Sequence, residues 1–412
     1  MNTSISEIKV PSLMEILADM PDFRKARGIR HPLPAVLTLA CAAMMCGYRS
    51  QNAIAQWGNN YGSQWLHLLG FTRAKAPSQP TIHRIFDGVD ISLLEAKLAQ
   101  WAQMVLQSLE GGRELREPQP STSEPTPQAL EAIAIDGKTL RGSRKQGASD
   151  AHLLSVLHQH VGLVLGQVAV ADTSNEINAA LLLLANLMLH GSLSGKLVTA
   201  DAMFTQHKIA TAIVEGGGDY LLVVKDNQPL LRGDIEAVFE TPDQLGLTRQ
   251  EMASKRTMRE VTMHGNRIEE RVLSTSQALR DCYGDDMWPC LEQVLQVKRT
   301  VTNKRTGRIS TTTSYAITSI SAQRATPAQL LVAWKEHWHI ENKLHWVRDV
   351  TFDEDRSTVR KGHVPQAMAA IRNTAIGLLR VLGATSIAGA CRLCAARPHL
   401  VLAALGSHLD FE

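Results

Sequence analysis

The chain has 412 residues, with 43 Lys and Arg against 40 Asp and Glu, a formal net charge of +3. Apolar residues make up 44% and charged residues 20%, which excludes wholesale disorder and, at roughly 100–200 residues per domain, allows two or three domains. The longest apolar runs, 35–46 and 179–189, fall short of a bilayer span, Glu7, Lys9, Glu15 and Asp19 break any secretory leader, and six cysteines form no disulfide framework. The expectation is a cytoplasmic chain with no membrane segment.

Residues 11–110 read as helical. Leu13, Ile16, Leu17 and Met20 make an amphipathic stripe. The stretches 33–46, 54–69 and 93–109 are three more helices, and Pro77-Ser78-Gln79-Pro80-Thr81 turns into a short one with His83, Arg84 and Phe86. Residues 112–128 differ in kind. Four of the sixteen prolines fall there, at 118, 120, 125 and 127, among Ser, Thr, Glu and Gln, a composition that suits an extended linker.

Beyond the linker the period becomes strand-like. Residues 132–137 are an apolar run ending in Asp136 and Gly137. The stretches 152–160 and 161–170 read as strands turning near Gly162, 179–189 as a buried helix, and 196–200 as a strand ending at Asp201. A helix over 206–214 and a strand over 219–224 follow, the latter closing on Lys225-Asp226-Asn227-Gln228. From 230 to 320 the chain is β-rich again, with alternation over 267–274, 294–301 and 310–320 and a hairpin turn at 302–308. Helical signals resume over 327–350 and 364–382. Strand pairs followed by strand–helix–strand units predict a mixed α/β sheet. The domain reading is 1–111 helical, 112–129 linker, 130–229 the first part of the α/β core, 230–322 a β-rich insertion, and 323–412 the rest of the core with C-terminal helices.

The chemistry starts from two carboxylates. Asp136 and Asp201 each stand just past the end of an apolar strand, so neighbouring strands would bring them together at the rim of the sheet, where open α/β folds place their sites. Two close like charges need a cation between them, and hard oxygen ligands suit Mg²⁺ or Mn²⁺. The plainer alternative, strand-end aspartates that cap turns, stays open for either residue alone. Residues 334–348 add a third carboxylate. Trp334, His337 or Trp338, Glu341, His345 and Arg348 recur at three- and four-residue steps, so an ideal helix puts them on one face. That face suits a metal and a nucleic acid, although the tryptophans also fit a core and the charges a solvated surface. Three carboxylates on two strands and a late helix compose a two-metal phosphoryl-transfer site with two ions. Basic clusters at 24–31, at Lys138, Arg141, Arg144 and Lys145, and at 298–308 suit phosphate, but equally a solvated face.

The motifs IDGK (135–138), VTADAMFTQ (198–206), GGDYLLVVKDNQ (217–228) and HWHIENKLHWVRDVTFDED (337–355) occur in an order that resembles the DDE transposases of bacterial insertion sequences. More narrowly the chain resembles the H-repeat-associated, Rhs-linked group, and PDFRKARGIRHPL (21–33) and PSQPTIHRIF (77–86) are similar to that group's N-terminal domain. The resemblance implies a ribonuclease-H-like core with a β-rich insertion and a helical N-terminal DNA-binding domain. It implies Asp136, Asp201 and Glu341 as catalytic metal ligands, and Lys225, Asn227 and Gln228 as DNA contacts beside Lys138, Arg141, Trp334, His337, His345 and Arg348. The Tyr–Arg–Glu–Lys signature of the wider superfamily lands on Trp334, His337, Glu341 and Arg348, three of which differ. The implied activity is binding of an element's terminal inverted repeats, cleavage at its ends and joining to target DNA by a homodimer.

A nuclease without strand transfer and a DNA-binding copy that no longer cuts are the rival readings. Asp172, Glu176, Asp349, Asp353, Glu354 and Asp355 are further carboxylates near these motifs. Cys391 and Cys394, spaced like a zinc pair, have no matching second pair and read as structural. No glycine-rich phosphate loop is present, so no nucleotide cofactor is expected.

Overall fold

Twelve of the thirteen residues of the helix Leu33–Met45 are buried, and a helix apolar all round has to be surrounded. In the computed structural model, which describes residues 11–114, 130–143, 151–171 and 173–406, it is surrounded within the first of two compact units. That unit holds the described residues up to 114, 137–179 and 339–406; the second holds 130–136 and 180–338.

In the first unit Leu33–Met45 packs against Leu13–Ala18 and Gln51–Asn60, and also against Val364–Val381, Ile387–Ala396 and His399–Leu405 from the far end of the chain. Ser12 Oγ donates to Leu405 O at 3.4 Å, and the buried Trp101 donates its indole N–H to Pro11 O at 3.0 Å. No single described helix is long and apolar enough to cross a membrane. The expected helix over 54–69 is two, Gln51–Asn60 and Gly62–Leu68. The break falls at Tyr61, where Asn59, Asn60 and Gly62 all disfavour a helix interior.

Strand β1 (Ala132–Leu140) begins in the second unit and ends in the first. Within the first unit it is followed by the antiparallel pair β2 (Ala151–His158) and β3 (Val164–Val170). Gly162 turns between them with φ +75°, a conformation that costs other residues ~1–2 kcal/mol. The helix Ile91–Glu114 covers β3.

In the second unit β1 runs parallel to β4 (Leu197–Ala200), and β4 parallel to β5 (Asp219–Val224). From β5 the order continues antiparallel through β9 (Ile309–Thr318), β8 (Gln293–Asn303), β7 (Arg267–Ser276) and β6 (Arg256–His264). The core here joins Ala132, Leu197 and Leu221 to Leu273, Leu295 and Ala316, with Leu330 and Leu331 of the helix Pro327–Glu336 packed on them. Strand β6 and the helix Pro229–Glu240 had no expectation in the sequence. Alternate residues of β6 are half-buried and exposed, so it lacks the apolar face that marks a strand.

Beneath β3 in the first unit, Glu95 accepts from Gln167 Nε2 at 2.8 Å and Gln366 Nε2 at 2.9 Å. Burial raises its pKa to about 7, against the opposing effect of those two donors. A carboxyl raised this far stabilises the fold below its unfolded pKa of ~4.5 and loses that contribution as pH rises through 7. Denaturant unfolding of Glu95→Gln between pH 5 and 8 should show this pH dependence flattened, by on the order of 3 kcal/mol across the window. An unchanged slope would place the titration elsewhere.

Candidate active site

The register of β1 and β4 builds the first half of the site. Ile135 pairs with Ala200 across parallel strands, so the next residue on each is Asp136 and Asp201. In parallel register the two side chains leave the same face, on strands about 4.8 Å apart. Asp201 ends its strand as expected. Asp136 does not, because β1 continues four residues to Leu140, and it stands instead just beyond the last residue paired to β4. Asp201 is 57% exposed at its side chain, open to whatever binds there.

His337, in the same unit, is held against this edge. Its Nδ1 lies 3.0 Å from Thr199 Oγ1, and Thr199 Oγ1 in turn donates to Ile133 O at 3.2 Å. Its Nε2 is 3.8 Å from Asp201 Oδ1. Burial lowers the imidazole pKa, and Asp201 only partly offsets this, so a neutral ring abuts the carboxylate. Asn227 Nδ2 donates to Ala202 O at 2.6 Å and Gln228 Nε2 to Thr205 O at 3.0 Å. Both amides therefore hold the turn that follows Asp201, and Lys225 beside them is exposed. Trp334 packs on the core of the second unit, so it is a packing residue rather than an exposed one.

In the first unit the segment around Glu341 is not an ordinary helix. The α-helix ends at Glu336, and Ile340–His345 and Val347–Thr351 are π-helical. A π-helix has more residues per turn than the 3.6 assumed for a single face, so the expected alignment breaks. Glu341 is half exposed, whereas His345 and Arg348 are buried. The tryptophans left on the surface are Trp338 and Trp346, at 64% and 57%. Sequence periodicity had singled out Trp334; only the change of pitch exposes Trp346. The wide turns are held from outside, by Lys343 Nζ and His339 Nδ1 donating to Gln159 O at 2.8 and 3.1 Å and by Arg380 Nη2 donating to Lys343 O at 2.8 Å.

Behind Glu341 lies a closed ionic network. Arg348 Nε donates to Glu354 Oε2 at 2.7 Å, Arg372 Nη1 donates to Glu354 Oε1, and Lys138 Nζ is 2.7 Å from Asp349 and 3.9 Å from Asp355. Three cations and three carboxylates cancel. Glu354 is 3% exposed; burial alone would raise its pKa, but Arg348 and Arg372 outweigh that and the carboxyl is held below its usual range. The same burial, reinforced by Arg348 and Lys138, lowers His345 to about 3. Arg348 and Lys138 are thus spent inside the protein, which leaves neither an open surface for phosphate. Arg141 remains 79% exposed, 3.9 Å from Asp355. Gly137 of the IDGK motif leaves the space that His152 and Glu176 fill, 3.2 Å apart. Asp172, Arg144 and Lys145 lie outside the described residues.

Two adjacent strand-end carboxylates, with no cationic side chain within 4 Å of Asp201 among the described residues except the neutral His337, fit a hard divalent cation by donor chemistry. Cys391 and Cys394 do not fit a metal. They are buried on a helix, and burial pushes their thiols up to about 12 and 11, away from the thiolate a metal needs.

The sequence was compared with known families and proteins. A family model described as "Transposase DDE domain" matches residues 127–378, and one described as "DDE_Tnp_1-associated" matches residues 14–102. The Escherichia coli O157:H7 protein named "Putative transposase YncI" is 29% identical over 90% of this chain and 88% of its own length. The Escherichia coli K12 protein named "H repeat-associated putative transposase YhhI" is 28% identical over 90% of this chain and 91% of its own. A solved piggyBac transposase synaptic complex with hairpin DNA aligns with 99% of this chain and 80% of that one, at 11% identity and a TM-score of 0.39, too distant to bear on fold or mechanism.

The buried network has a measurable consequence. Glu354→Gln leaves Arg348 and Arg372 without their counter-charge, and removing one partner of a buried pair costs about 3–5 kcal/mol. Denaturant unfolding at neutral pH should show a loss of that size. Below the usual carboxylate range the wild type should approach the variant, because a depressed carboxyl gives up its contribution as pH falls through its folded pKa. A loss under about 1 kcal/mol would mean that the network is solvated.

Proposed function

Because the chain belongs to the transposase DDE domain family, we propose that it binds the ends of its own insertion sequence, cleaves the DNA there and joins the freed 3′-hydroxyls to a target duplex. The observation that carries this reading is the parallel register that sends Asp136 and Asp201 from adjacent strands off one face. The antiparallel β2–β3 pair after β1 and the parallel run β1–β4–β5 support a ribonuclease-H-like core. Glu341 supplies the third carboxylate.

Asp136, Asp201 and Glu341 would hold Mg²⁺ or Mn²⁺, two ions per site. When bound, such ions activate the attacking oxygen and neutralise the leaving one. The chain's own residues do the positioning. His337 stays neutral beside Asp201, so it orients the carboxylate without competing for its charge. Asn227 and Gln228 fix the turn behind Asp201, and the network around Glu354 anchors the π-helical segment that presents Glu341. Exposed Lys225, Arg141, Trp338 and Trp346 are suited to meet DNA, the tryptophans by stacking on unpaired bases. Holding two ends at once requires two copies, so the working assembly is a homodimer on DNA in the cytoplasm.

The test is cleavage of a labelled duplex carrying the element's end in Mg²⁺, with a plasmid as target for joining. Glu341→Gln and Asp201→Asn should each bind this duplex as wild type does and cut it more than about a thousandfold more slowly, the loss expected when several kcal/mol of charge stabilisation goes. Wild-type cutting without joined product would make the chain a nuclease only. Equal cutting by wild type and Glu341→Gln would remove Glu341 from the reaction.

A further inference from the structure

Six cations line one cavity of about 810 Å³ among the N-terminal helices of the first unit: Arg24, Arg27, Arg30, Arg73, Lys75 and Arg84. Two segments supply them. One is the loop and short turn at Ala26–Gly28 that lead into Leu33–Met45; the other leads into the helix Gln79–Gly88 and its first turns.

Arg24 is spent on structure. It pairs with Asp22 at 2.6 Å and donates to His31 O at 2.8 Å, which folds the loop back on itself. The other five are exposed, and among the described residues none of them has a carboxylate within 4 Å. Around Glu354 in the same unit, by contrast, the cations are matched one for one by carboxylates. The crowding registers on His31: burial lowers its pKa, and Arg73, Arg24 and Arg30 lower it further. Its Nδ1 is buried with no hydrogen-bond partner. Ser78 and Thr81 also line the cavity, at the start of Gln79–Gly88, and Ser78 makes no side-chain bond to that helix's first N–H groups. The helix therefore adds the positive end of its dipole to the same space.

A pocket for a small molecule is mainly apolar with a few polar groups. This one is mainly cationic, and unmatched cations held this close repel one another until an anion joins them. Five such charges drawn from two chain segments exceed what a single phosphate neutralises, and they suit a ligand that carries phosphates in a row. We propose that this cavity seats the backbone of duplex DNA, contacting several phosphates without reading bases. The proposal rests on the functional reading above only in taking DNA as the substrate, and it assigns the grip on that DNA to a place away from the carboxylates.

The experiment is equilibrium binding of the full chain to two labelled duplexes of equal length, the element's end and an unrelated sequence, in EDTA over a range of salt. Each phosphate contact contributes about 0.9 to the slope of log K against log salt. Replacing Arg27, Arg30 and Arg73 together by Ala should lower that slope by about 3 and weaken both duplexes at least tenfold near 0.1 M salt. The matching triple Lys variant should keep the wild-type slope, and unchanged thermal melting should show that the Ala variant folds. Wild-type affinity and slope in the Ala variant would overturn the proposal. So would a loss confined to the element's end, which would mean base recognition. Because binding is read without metal, a chain that binds as proposed and never cuts refutes the cleavage reading alone.

Discussion

The register between β1 and β4 is the constraint on which the candidate site depends. Side chains alternate along a strand, so a slip of one residue would carry Asp136 to the opposite face. Several features guard against that slip. Ile133, Ile135, Val198 and Ala200 are buried, and the buried Thr199 hydroxyl reaches across to Ile133 O. His337, hydrogen-bonded to the same hydroxyl, then stands against Asp201. One packed strand pair therefore fixes where two charges can appear, and the amides of Asn227 and Gln228 stiffen the turn beyond.

The distribution of charge separates structure from function in this chain. Around Glu354 every cation has its carboxylate, and the result is an electrically closed block that holds a π-helical segment in place. A π-helix is the least regular way to run a backbone, and here Gln159 O, Lys343, His339 and Arg380 supply the bonds that brace it. Around the N-terminal cavity, cations stand close together without partners. Both arrangements are made of arginine and lysine in the same compact unit. Their difference is whether the counter-charge belongs to the protein or must come from outside.

Much of the architecture was legible because the local signals agreed. The strand over 219–224 and the helices at 33–46 and 364–382 carry apolar periods that no competing pattern disturbs, and the structure has them there. The break at Tyr61 was written in Asn59, Asn60 and Gly62, but an otherwise continuous apolar pattern masked it. Strand β6 was not legible, since its residues face solvent on one side and carry charges on both. The alignment of Trp334, Glu341 and Arg348 on one face failed for a physical reason. It assumed 3.6 residues per turn, and the pitch of that segment is set by bonds from residues far away in the chain.

The sequence by itself determined the strands that carry Asp136 and Asp201, the β-rich stretch before 320 and the family to which the chain belongs, because these are properties of residue order and local periodicity. Tertiary structure alone decided which charged side chains are occupied and which are free. Arg348 and Arg27 look alike in a sequence. Only the folded chain, by burying Glu354 against one and leaving no carboxylate near the other, makes the first a structural ion and the second an open one.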